Sequence, residues 1–278
     1  MPKGTDRPTT NSGQWKYDQS SNRLELQNCL GVGDGFGKMR PDFVTNRGGC
    51  SFPVERRWLL DEVGFAEIPA ALDHSVCMDM LAALDRAISR RAGSRNLLDV
   101  AACERLATNL KNHAQLGPLL PRGAVAVQCT LFDKSAWRNW LVALHQDLSI
   151  PVQERVSHPE CSGWSEKEGV VYVQPPVAVL QTLTAVRVHL DDCMSDNGPL
   201  RVVSGSHRHG RLSAEAATAL RDLSGERECV AHRGDVLAMR PLILHASSKA
   251  QARGPRRVLH FLFGPEELPC GLRWHCAV

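Results

Sequence analysis

The order of patterns along the chain predicts an α+β fold, helices first and strands after. Apolar residues recur at helical spacing between Val76 and Ile88, and beyond Gly123 the period falls to two. Several of the later stretches place polar side chains on one face. Such faces are costly in a sandwich filled by apolar side chains, but they suit a barrel-like double sheet around a wet, liganded cavity.

Residues 1–55 are rich in Gly, Asn, Asp, Ser and Arg and show no sustained apolar period, which predicts a poorly ordered N-terminal arm. Residues 56–278 are expected to form a single domain. Its first helix has Asp73 as N-cap and Val76, Met80, Leu81, Leu84 and Ile88 on one face. A second helix, about 98–113, carries Leu106 and Leu110 and ends before the Gly and Pro punctuation of 117–123.

In 124–132, Val125, Val127, Cys129 and Leu131 are expected to form the apolar face of a strand, and Ala126, Gln128, Thr130 and Phe132 the partly polar one. The same arrangement returns where Val186, Val188 and Leu190 alternate with Arg187, His189 and Asp191. Further strands are predicted over 200–203, 236–244 and 256–263, separated by turns such as Asp196-Asn197-Gly198-Pro199 and Gly234-Asp235. The long piece between them, 148–184, contains Pro151, which is expected to interrupt any regular element. Its Trp164, Tyr172, Val170, Val171 and Val173 favour an ordered lid insertion over a disordered loop.

A formal net charge of +3 over 278 residues is too small to argue for nucleic acid or an anionic membrane as partner. No stretch reaches the ~20 apolar residues of a membrane-spanning helix and the start lacks an apolar signal segment, so a cytoplasmic location is expected. The ten cysteines contain no Cys-x-x-Cys pair, which argues against a zinc ribbon or thioredoxin-type motif.

The chemistry-bearing pattern is His145-Gln146-Asp147. In an extended segment, positions i and i+2 point to one side, so imidazole and carboxylate can grip one ion. Two histidines and a carboxylate leave open positions on an octahedral metal, the ligand set of non-haem Fe(II) oxygenases. His245, after the run Pro241-Leu242-Ile243-Leu244, can supply the second imidazole from where a strand opens at a barrel mouth. By spacing alone, His189-Leu190-Asp191 competes with His145-Gln146-Asp147 on equal terms.

These residues resemble the phytanoyl-CoA dioxygenase family, in which the first metal motif reads His-x-Asp, often His-Gln-Asp. A later turn of the form Asn-Gly-x-Leu-x-Val-x-Pro-Gly-Ser-His is matched by Asn197 to His207, except that Ser204 stands in place of proline. The resemblance covers about residues 60–265 and implies a double-stranded β-helix (jelly-roll, cupin-like) core with the helices packed outside. It also implies that His145, Asp147 and His245 bind Fe(II), while the pair on the strand before the turn does not.

An arginine about eleven positions after the distal histidine is implied as well, and Arg256 stands there. Its planar fork suits the distal carboxylate of 2-oxoglutarate, with Arg257 as the fallback. The same resemblance gives Gln128 and Thr130 as co-substrate contacts and marks Lys134 as a lysine shared with the family.

The implied activity is a dioxygenase reaction consuming 2-oxoglutarate and O2, with hydroxylation of a small molecule and release of succinate and CO2. Asp147 argues against the halogenase variant, in which a small residue replaces the carboxylate. Arg187, His189, Asp191 and Trp164 are candidate substrate contacts, the first three alternatively a salt-linked network within the strand. A cupin-like metal-binding protein without oxygenase activity is the competing reading, and Arg256 speaks against it.

Overall fold

The computed structural model describes residues 53–87, 93–135, 138–251 and 254–278, together with the backbone of two short strands near the N-terminus. Those strands, β1 (Gln14–Asp18) and β2 (Arg23–Gln27), pair antiparallel within a separate N-terminal unit. The rest of the expected N-terminal arm, up to residue 52, lies outside the described residues, as does Ile88.

The larger unit begins with α1 (Pro53–Trp58), β3 (Phe65–Ile68), α2 (His74–Ala87), β4 (Gly93–Ser94) and α3 (Ala101–Asn112). Next come β5 (Val125–Lys134), β6 (Val142–His145), β7 (Ile150–Val152), β8 (Ser162–Lys167), β9 (Val170–Gln174), α4 (Val177–Thr182) and β10 (Thr184–His189). The chain then runs through β11 (Leu200–Val202), α5 (Ala214–Ser224), β12 (Arg227–Cys229), β13 (Val236–Met239), β14 (His245–Ser247) and β15 (Arg256–Gly264).

Three antiparallel sheets result. The major one has the order β3-β13-β10-β15-β5-β4, the minor one β12-β11-β14-β6, and a third joins β7-β9-β8. The major and minor sheets form the two walls of a jelly roll, as expected from the polar strand faces.

Alternation assigns the outer face of the major sheet to the core. Val186, Val188 and Leu190 beside β10, Leu259, Phe261 and Phe263 of β15, and Cys129 and Leu131 of β5 pack against Cys77, Met80, Leu81 and Leu84 of α2 and Leu106 and Leu110 of α3. Each fully buried Leu or Phe contributes about 1.5–3 kcal/mol. The helices therefore cover one side of the sheet and leave the other free to face a cavity.

Three local expectations are corrected. The expected face pattern of 124–132 fails at its start, because Ala126 lies in the outer core with Cys129 while Val127 joins the second core. The register slips between Leu262 and Phe263, which pair with Gln128 and Ala126, so Val127 is a bulge residue that switches faces. The strand expected over 236–244 stops at Met239. Pro241 has no N–H to continue a ladder, a turn closes from Ile243 N–H to Arg240 O (3.0 Å), and His245 opens a new strand in the other sheet. Pro151 does not break its segment but sits within β7, opposite Tyr172, on the edge strand of the third sheet where a missing donor is tolerated.

The segment expected as a lid insertion is thus a three-stranded sheet. Ile150, Val152 and Val173 are buried in the second core with Leu180, Leu183 and Leu237, which fixes this sheet against the jelly roll.

Candidate metal centre

His145 and His245 are exactly opposed across the minor sheet, as register partners of β6 and β14, with ring centroids 4.2 Å apart. Cross-strand partners on one face are the closest side chains a sheet offers. The ladder shifts register between His245 and Ser247, where Ser247 pairs with Val142. Asp147 follows β6, its Oδ1 3.7 Å from His145 Nε2 and its Oδ2 3.7 Å from His245 Nε2. One donor atom from each of the three lies within 4.8 Å of the others.

Each ring's other nitrogen is already engaged. His145 Nδ1 is 2.8 Å from Ala143 O, and His245 Nδ1 is 2.9 Å from Ile243 O. A carbonyl only accepts, so Nδ1 carries the proton in both rings and Nε2 presents its lone pair to the ion. Burial, partly offset by Asp147, pushes the His245 imidazole down to about 4 and so keeps it neutral near pH 7. Burial raises the Asp147 carboxyl, but His245, His260, His145 and Arg187 together outweigh it and hold the group below its ordinary range. His245 and Asp147 are therefore in their ligating protonation states.

Gln146, between two ligands, points elsewhere. Its Nε2 donates to Leu242 O (2.7 Å) and Gly210 O (2.8 Å), its Oε1 accepts from Leu212 N–H, and the neighbouring Asp147 N–H donates to Pro241 O. These bonds tie the first metal segment to the loop leading to His245. The Asn197 to His207 turn supports the same loop from the other side: Leu244 N–H donates to Ser206 Oγ (2.8 Å) and Val203 N–H to Leu244 O.

A cavity of about 390 Å³ opens on the three donors. From the major sheet it is lined by Gln128, Thr130, Phe132, Lys134, Arg187, Arg256, His260 and Leu262, and from the minor sheet by Leu200 and Ser247. Ile150, Lys167, Tyr172 and Gln174 of the third sheet form its remaining wall.

Arg256 is buried, and its Nη1 donates to Gly198 O at 2.8 Å. Gly198 holds φ +60, and a Cβ there would meet Ser248 O at 2.4 Å, so the Asn-Gly turn needs glycine at this position to support the arginine. The Nε atoms of Arg256 and Arg187 are both buried without a hydrogen-bond partner among the described residues. Burial and then Arg256 lower Arg187 to about 10 and Lys134 to about 8. Cations crowded in one cavity wall, two of them with an unsatisfied Nε, are the arrangement a dicarboxylate would neutralise.

Gln128 Nε2 donates to Thr130 Oγ1 (3.0 Å), and both line the cavity. Lys134 is fully buried and donates to Ser247 Oγ (2.7 Å) and Ser248 O (2.8 Å), which ties β5 to the strand of His245. His260 was left without a role by the sequence pattern, yet its Nε2 is 4.0 Å from Asp147 Oδ2 and its Nδ1 3.3 Å from Arg187. Its place on the face of Arg256, four residues on, was the signal that could have found it.

The remaining candidates separate. Arg187 lines the cavity; His189, Asp191 and Trp164 do not. His189 is buried with Nδ1 3.3 Å from Asp235 O, and Trp164 packs on the second core. Asp191 accepts from Arg257 Nε (2.7 Å), Nη2 (2.9 Å) and N–H (3.0 Å), and Arg233 Nη2 lies at 3.3 Å. The rival pair belongs to no metal-ligating group among the described residues, and Arg257 is committed to Asp191.

Asp191→Ala is accordingly expected to cost about 3 kcal/mol, because it strands a half-buried guanidinium. A chemical denaturation midpoint would show the loss, and an unchanged iron stoichiometry would show that the role is structural.

A family model described as phytanoyl-CoA dioxygenase (PhyH) matches residues 60–258. No curated protein matches the chain. Among solved structures, the epimerase SnoN in complex with Fe3+, alpha ketoglutarate and nogalamycin RO aligns at 15% identity and TM-score 0.58, over 79% of this chain and 91% of its own. HygX from Streptomyces hygroscopicus with iron bound aligns at 21% identity and TM-score 0.54, over 76% and 86%. HygX also aligns in a form holding nickel, 2-oxoglutarate and hygromycin B, at 20% identity and TM-score 0.52, over 76% and 86%. At such identities the likeness establishes the fold.

Proposed function

This chain belongs to the phytanoyl-CoA dioxygenase family of Fe(II)- and 2-oxoglutarate-dependent oxidoreductases, and from that premise we propose that His145, Asp147 and His245 hold its iron while Arg256 anchors its 2-oxoglutarate. The observation that carries this reading is the meeting of three donors, distant in sequence, beside two buried arginines whose Nε atoms lack partners among the described residues. The ligand set fits iron because it is two imidazoles and one carboxylate, with the cavity open beside them.

When bound, iron and 2-oxoglutarate supply the oxidation of a substrate C–H bond by O2, coupled to decarboxylation to succinate. The chain's own residues do the rest. Gln146 and the Ala143 and Ile243 carbonyls orient the ligands. Arg256, with Arg187 beside it and Gln128 and Thr130 on the neighbouring strand, receives the distal carboxylate of the co-substrate. Tyr172, Gln174 and Lys167 of the third sheet close the side on which a substrate enters, so this sheet is the lid that shapes the substrate pocket. The substrate is a small molecule, and its hydroxylation is the proposed outcome; the HygX and SnoN structures hold hygromycin B and nogalamycin RO respectively.

Anaerobic addition of Fe(II) and then 2-oxoglutarate is expected to produce the visible charge-transfer absorption of a chelated 2-oxo acid, and admission of O2 to release succinate. Iron binding without either response would instead support a cupin-like metal-binding protein.

A further inference from the structure

A second cluster of metal-ligating side chains lies away from the cavity, where the third sheet meets the C-terminal segment. His158, Glu160 and Cys270 each place one donor atom within 4.8 Å of the others. The Cys161 thiol is within hydrogen-bonding reach of Cys270 but lies outside this group of three.

The two halves come from two tight turns. In the first, Cys161 N–H donates to His158 O (3.1 Å), which brings His158, Glu160 and Cys161 round a single bend. In the second, Leu272 N–H donates to Pro269 O (3.2 Å), and its central residues Cys270 and Gly271 hold φ of +63° and +70°. A β-branched or bulky side chain does not accept that backbone, and a cysteine adopts it only where its surroundings hold it. The Glu160 N–H donates to His158 Nδ1 (3.3 Å), which helps close the first turn.

We propose that His158, Glu160 and Cys270 form a second metal site for a zinc-class divalent cation, which pins the lid sheet to the C-terminal segment. One thiolate, an imidazole and a carboxylate are donors zinc accepts, with a water completing the tetrahedron, and the set is softer than the two imidazoles and carboxylate of the iron centre. The bond would join parts that already touch. Val152 bridges Trp274, Gln153 N–H donates to Arg273 O, and Cys161, Leu272 and Trp274 share the second core. Because this sheet also walls the cavity, the ion would hold the lid without touching substrate.

The test is a Co(II) titration of the full chain under reductant, in the variant His145→Ala/His245→Ala, which removes the iron centre. One equivalent of Co(II) is expected to bind with intense thiolate-to-cobalt absorption and tetrahedral visible bands. Cys270→Ser should abolish the thiolate absorption, and Glu160→Gln should weaken Co(II) binding by about tenfold or more. With His145 and His245 intact, Cys270→Ser should still bind one Fe(II), which shows that the variant folds. Three results would overturn the site: no thiolate absorption in the iron-free variant, absorption that survives Cys270→Ser, or a Cys161–Cys270 disulfide whose reduction leaves no Co(II) binding. None of these readouts depends on the identity of the iron centre.

Discussion

His145→Ala is expected to abolish iron binding and turnover, whereas His189→Ala retains iron. Both residues open a His-x-Asp pattern, yet only the first lies in register opposite His245, with Asp147 3.7 Å from each imidazole. Removing a group that merely orients a ligand costs about 10- to 100-fold in metal affinity. Deleting a ligand itself is therefore expected to cost roughly 100-fold or more. His189 is buried against Asp235 O and its loss is felt in folding, so iron stoichiometry by metal analysis separates the two variants. Retention of stoichiometric iron by His145→Ala would remove the basis of the proposed centre.

Arg256→Ala is expected to raise the KM for 2-oxoglutarate by roughly 10- to 100-fold, since a charge-assisted hydrogen bond contributes about 1.5–3 kcal/mol and each 1.4 kcal/mol is tenfold. The adjacent Arg257 provides the control. It is tied to Asp191 through its backbone N–H, Nε and Nη2, so Arg257→Ala should lower the denaturation midpoint and leave that KM unchanged. Steady-state succinate release across a range of 2-oxoglutarate concentrations reads both. A KM that responds to Arg257 and not to Arg256 would reverse the assignment of the anchor.

Much of the major sheet was legible because period-two alternation reports directly on two faces. Val186, Val188 and Leu190 went to the core and Arg187 to the cavity. The same rule failed wherever a single residue broke the ladder. Val127 switched faces at a bulge, and the strand through residue 239 ended because Pro241 turned the chain into the other sheet. A side chain's face depends on its partner strand's register there, which a local pattern does not contain.

The His-Gln-Asp and Asn-Gly motifs were readable for a different reason: each stands within a few residues of chain, and family resemblance supplied their context. Their inner logic became visible only with the fold. Gln146 proved to bind Leu242 O and Gly210 O, and Gly198 proved to hold Arg256 through its carbonyl.

By itself the sequence determined the class of fold, the residue types of the metal centre and the presence of an arginine at the right interval, because these are properties of short segments and their spacing. Family resemblance chose between the two His-x-Asp pairs and between Arg256 and Arg257, and the cross-strand distances support both choices. Only the tertiary structure separated Arg187, which lines the cavity, from His189, Asp191 and Trp164, which pack elsewhere. Those roles turn on distances across strands that meet from far apart in the chain, and on which cations already have a carboxylate partner.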